Sequence, residues 1–133
     1  MAELSKEMKI VVLINTIVAL IYGIFQLFLT EWYAAATDFP VFDIHFTRVS
    51  GGTLFVLSLF GFYVFLKKQW EEFKLFLEFV IAYQIMLLIL DIVYIATITY
   101  SATNFGSILL ATIITAVLIV VNIYIYLKEQ KKE

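Results

Sequence analysis

Apolar positions in this chain fall into four long runs separated by short polar stretches. A transmembrane helix needs about 20 mostly apolar residues at a rise of 1.5 Å each. Runs at about 9–29, 47–66, 75–97 and 106–127 meet that length. They predict an all-α membrane protein, a four-transmembrane-helix bundle that forms a single domain over residues 1–133. The boundaries are charge runs such as Lys67-Lys68-Gln69-Trp70-Glu71-Glu72 rather than Gly/Ser linkers. Between the first two runs, Thr30 either N-caps a brief interfacial helix through Ala36, ended by Pro40, or begins a plain loop. Trp32, Tyr33 and Trp70 are expected at the level of the lipid headgroups. The first run is longer than the apolar core of a secretory signal, so it is expected to be retained.

Polar residues inside the runs are the informative ones, because each must find a partner in hydrocarbon. Asn15, Ala19, Tyr22 and Gln26 follow i, i+4, i+7, i+11 spacing and make one stripe on the first helix. Gln84 and Asp91 share a face of the third span, and Thr115 and Asn122, with Thr112 and Ala111 beside them, mark the fourth. The simplest packing turns all three stripes inward. Counted along the helices, Asn15, Gln84 and Asn122 lie roughly 8–14 Å from one end and Gln26, Asp91 and Thr112 roughly 21–26 Å. An inner amide layer and an outer layer with a carboxylate are therefore expected. The inner layer reads first as interhelical hydrogen bonding that fixes register. Glu78 sits near a helix end and reads as interfacial.

Charge sets the expected orientation. With four spans, both termini and the middle loop share one side. That side carries Lys6, Lys9, Lys67, Lys68, Lys74, Lys128, Lys131 and Lys132 of the nine Lys and Arg residues, and the other side only Arg48. The positive-inside rule then places both termini in the cytoplasm of a multi-pass cell-membrane protein. Asp91 is the deep acid, and a carboxylate at such depth costs about 2.5–3.5 kcal/mol on insertion scales. Arg48 is the cation on its half of the membrane, with His45 one turn earlier, so an Arg48–Asp91 pair is the preferred arrangement. Such a pair would serve as a clamp between the second and third spans, as the polar end of a ligand pocket, or in a proton path. The outer cluster is thus Asp91, Arg48, Gln26, Thr112 and His45.

Composition narrows the classes. Hydrophobic residues make up 63% of the chain and charged ones 15%, with a mean hydropathy of +0.99, against about 25% charged in soluble domains. A soluble enzyme, a disordered linker and a disulfide-stapled secreted module are excluded. Cys is absent, so disulfides, thiol chemistry and Cys-held metal are excluded too. His45 is the single histidine, which removes bis-His haem, HExxH zinc and di-iron sites within one chain. No phosphate-binding glycine loop is present, and the lysines alternate with glutamates, which disfavours nucleic acid. No catalytic set, metal site or cofactor is expected.

A short start, a first span, the aromatic stretch Glu31-Trp32-Tyr33, then Arg48-x-x-Gly51-Gly52 opening a second span resembles the DoxX-like small four-helix membrane proteins. The resemblance covers span number, length and loop order over most of the chain, with its motif content in Arg48, Gly51 and Gly52. Some such proteins are associated with respiratory or redox membrane complexes, so the resemblance implies an accessory or small-ligand role. The leading expectation is a non-enzymatic accessory or structural subunit in the lipid bilayer, joined to a larger membrane complex or a homo-oligomer. The alternatives are a binder or carrier of a small ligand near Asp91 and Arg48, and an oligomeric proton-coupled transporter or channel.

Overall fold

The computed structural model describes residues 4–40, 42–98 and 100–132. Among these residues the chain forms five helices: α1 (Lys6–Leu27), α2 (Thr30–Thr37), α3 (Ile44–Phe65), α4 (Trp70–Thr97) and α5 (Ala102–Gln130). All but α2 are long and apolar enough to cross a membrane. Their outer faces carry large apolar side chains, such as Ile10, Ile14, Ile17 and Ile21 on α1 and Ile113, Val117 and Val120 on α5. Such a surface suits hydrocarbon and not water.

Local chemistry sets most of the helix starts. The Ser5 hydroxyl accepts from the Met8 N–H at 3.1 Å. Asp43 Oδ1 accepts from the Phe46 N–H at 2.7 Å, and Ser101 Oγ from the Asn104 N–H at 3.1 Å. Each satisfies one of the amide groups that a helix N-terminus leaves unpaired. Helix α4 has no such cap, but Glu71 and Glu72 in its first turn complement the helix dipole.

The expected N-cap of α2 is corrected. The cap position is Leu29, and Thr30 lies inside the helix, its hydroxyl donating back to the Gln26 carbonyl at 2.7 Å. The helix ends at Asp38, whose φ of 50° is left-handed, two residues ahead of Pro40. Trp70 stands at the start of α4, buried with its ring against Tyr126. Trp32 is exposed and stacks on Phe25.

Packing is uneven. Helices α1 and α3 make the closest contact, α4 and α5 form a second pair, and the two pairs meet over far fewer residues. Glycine is what lets α1 and α3 approach. A Cβ on Gly51 would lie 2.5 Å from the Leu27 backbone nitrogen, and one on Gly23 would lie 2.8 Å from that of Phe55. A Cβ on Gly61 would fall on the buried Thr16 hydroxyl.

The apolar core gathers at one end. Met8, Val11, Val12, Val64, Trp70, Phe73, Leu77 and Ile125 pack together there, drawing in the N-terminal ends of α1 and α4 and the C-terminal ends of α3 and α5. This is the lysine-rich end. Lys128 pairs with Glu7 across it. Lys67 lies 3.3 Å from Glu72 and over the Tyr63 ring. The Tyr63 side chain, and then the Glu72 carboxylate beside it, hold its ammonium above the ordinary lysine range.

Candidate functional site

Above the apolar core, three side-chain amides close a ring across the bundle. Asn15 Nδ2 donates to Asn122 Oδ1 at 2.7 Å, and Asn122 Nδ2 donates back to Asn15 Oδ1 at 3.0 Å. Gln84 Nε2 donates to Asn15 Oδ1 at 2.8 Å, while Gln84 Oε1 accepts from Asn122 Nδ2 at 2.8 Å. The second proton of Asn15 goes to the Val11 carbonyl at 2.8 Å. All three residues are buried. Every amide oxygen has a donor, so this layer links α1, α4 and α5 and presents little unmet polarity.

Beyond the ring the two helix pairs part, and a cavity of about 470 Å³ lies between them. Such a volume is in the range of small-molecule pockets. Asn15 and Gln84 line its floor, and Leu54, Leu57, Leu87 and Leu118 are among its apolar walls. The stripe Asn15, Ala19, Tyr22 and Gln26 faces it from α1. Asp91 on α4 and Ala111 and Thr115 on α5 line it too.

Tyr33 of α2 and Phe39, in the segment that follows α2, line the cavity at its outer end. Phe39 sits between Tyr33 and Tyr94, with ring centroids 6.3 and 5.7 Å away. Asn104 fastens this roof. It is fully buried, its Nδ2 donates to the Thr37 carbonyl at 3.0 Å, and its Oδ1 accepts from the Tyr94 hydroxyl at 2.8 Å. The Ser101 hydroxyl adds a bond to Asp38 Oδ2 at 2.5 Å. Burial lifts the Tyr33 hydroxyl above the ordinary phenol range, so its proton stays in place at neutral pH.

The outer polar residues divide into two groups. Asp91 Oδ2 accepts from the Thr112 hydroxyl at 3.2 Å, and Gln26 Nε2 approaches the Tyr33 hydroxyl at 3.4 Å. Arg48 and His45 stand apart from both. The expected Arg48–Asp91 pair does not form: Arg48 is exposed, and its Nε donates to the Thr30 hydroxyl at 3.4 Å. The cause is the glycine seam, which holds the start of α3 against α1 and the start of α2, whereas α3 and α4 scarcely meet. Asp91 faces α5 instead. His45 is exposed in the first turn of α3.

Among the described residues that line the cavity, Asp91 is the one charged side chain. The Thr112 proton is also claimed by the Ile108 carbonyl at 2.7 Å, so the carboxylate has at most a share of one donor. Gln26 Oε1 is buried with no hydrogen-bond donor. A second depression, of about 440 Å³, lies on the outer flank of α1, α2 and α5. It shares Val18, Tyr22, Tyr33 and Ile114 with the cavity, so one layer of side chains separates the two. Among the described residues, no group of three or more His, Cys, Asp or Glu is placed to hold a metal ion.

Tyr33, Phe39, Tyr94 and Asn104 were not singled out as site residues by the sequence pattern. Only Asn104 carries a local sign, standing three residues after the capping Ser101. Comparison with family models, with curated proteins and with solved structures gives no match. The likeness to DoxX-like proteins therefore rests on the sequence pattern alone. Of its motif residues, Gly51 belongs to the α1–α3 seam, and Arg48, in the second turn of α3, bonds to Thr30 at the start of α2.

Proposed function

We propose that this chain is a multi-pass cell-membrane protein that binds or carries a small, largely apolar molecule in its central cavity, with the polar end of the ligand at Asp91. One observation carries the reading. The cavity of about 470 Å³ has largely apolar walls and one charged lining side chain, the Asp91 carboxylate, which receives at most a share of one hydroxyl proton. Convergent polar groups in an otherwise apolar pocket are the mark of a ligand site.

Insertion is supported by the four long apolar helices and their apolar outer faces. Eight of the nine basic residues cluster at the end that holds both termini, which supports a cytoplasmic location for that end. On that orientation the cavity lies in the outer half of the bilayer, under the roof made by α2. We favour this reading over the accessory-subunit expectation because the bundle has a cavity of its own.

Native mass spectrometry of the gently extracted protein tests it. One small-molecule adduct per chain is expected, and its occupancy is expected to fall in Asp91→Asn. A bare wild-type chain that co-purifies with a larger membrane partner would contradict the reading and favour the accessory subunit.

A further inference from the structure

The polar end of the cavity is short of donors and also has aromatic walls. Asp91 shares one hydroxyl proton with a backbone carbonyl, and Gln26 Oε1 receives none. Tyr22, Tyr33, Tyr94 and Phe39 supply ring surfaces on the same cavity as Asp91. Among the described lining residues there is no Lys, Arg or His. Arg48, the cation expected to pair with Asp91, is held at Thr30.

Each class of head group meets this end differently. A carboxylate or phosphate would face Asp91 with like charge and bring it no donor. An alcohol would bring one donor and no charge. A quaternary ammonium would bring charge and no N–H. A primary or secondary ammonium brings a positive charge, two or three N–H donors and a cation for the ring faces.

We infer that the cavity takes a lipophilic primary or secondary amine, with its ammonium at Asp91 and Gln26 and its hydrocarbon body along Leu54, Leu57, Leu87 and Leu118. The inference rests on the ligand-pocket reading above. The amide ring suits the far end of such a molecule because its oxygens are already paired. Gln26 lies eleven residues beyond Asn15 on α1, about 16 Å along the axis, which is room for an extended alkyl chain.

The test compares decylamine, decanol, decanoate and decyltrimethylammonium by titration under native mass spectrometry, with the full chain in a neutral detergent. Decylamine is expected to bind once per chain, about tenfold tighter than decanol, with decanoate weakest and the quaternary compound between. Asp91→Asn is expected to abolish the preference for the amine and to keep decanol binding. Gln26→Leu is expected to lower decylamine affinity several-fold, and it gives a second readout that leaves the carboxylate in place. If decanol binds as tightly as decylamine, or the preference survives in both variants, the amine assignment is overturned while the pocket reading stands. If none of the four compounds saturates a single site, both fall together.

Discussion

Asn15 and Asn122, 107 positions apart in the chain, exchange hydrogen bonds in both directions across the bundle, at 2.7 and 3.0 Å. Gln84 bridges the two from α4. The ring separates a filled half of the molecule from a hollow one. Toward the lysine-rich end the helices close on Met8, Val12, Phe73 and Leu77, and away from it they part around the cavity.

Removing one member of the ring strands the other two. Asn122→Leu should lower stability by about 1–3 kcal/mol, the cost of buried amides left without partners. Thermal unfolding in detergent measures it. Asn15→Ala and Asn122→Ala should also be non-additive by about 0.5–2 kcal/mol when combined, because they delete the same reciprocal bonds.

Arg48 and Asp91 should behave as strangers. Arg48 donates to Thr30 and Asp91 accepts from Thr112, with no shared partner. Stability losses in Arg48→Gln and Asp91→Asn should therefore add in the double variant to within about 0.5 kcal/mol. A larger coupling in the same unfolding assay would restore the ion pair.

Glycines should sort by what a methyl group would meet. Gly51→Ala pushes a Cβ against the Leu27 backbone and should destabilise by about 1–3 kcal/mol. Gly106 has nothing within 4 Å of its Cβ position, so Gly106→Ala should be neutral or stabilising by up to about 1 kcal/mol. Melting temperatures of the two variants in one detergent decide the ranking.

The roof over the cavity depends on Asn104. Asn104→Ala removes the bonds to both Thr37 and Tyr94, and Tyr94→Phe removes only the second. Amide hydrogen exchange over α2 should accelerate most in Asn104→Ala and less in Tyr94→Phe, with the amide-ring layer unchanged in both.

Much of this architecture is legible in the amino-acid sequence, for reasons that also say where legibility ends. Apolar runs of spanning length mark α1, α3, α4 and α5, because helix rise and bilayer thickness are both known. The stripe from Asn15 to Gln26 shows which face of α1 turns inward, and depth counted along the helices groups Asn15, Gln84 and Asn122. Depth does not say which helices are neighbours. That is why Arg48 and Asp91, on opposite sides of a gap between helix pairs, looked like partners. The cavity is a property of how two pairs fail to meet, and no residue type encodes a void. Tyr33 and Phe39 became site residues only through the left-handed turn at Asp38 and the bond from Asn104 to Thr37.

Filling the cavity tests its role most directly. Ala111 lines it and Ile113, two residues away on α5, faces outward. The measurement is ligand occupancy by native mass spectrometry of gently extracted Ala111→Phe and Ile113→Phe beside the wild type. The expected result is one small-molecule adduct per chain in the wild type and in Ile113→Phe, and none in Ala111→Phe. Equal occupancy in the two variants, or a bare chain in all three, would contradict a ligand site between the helix pairs.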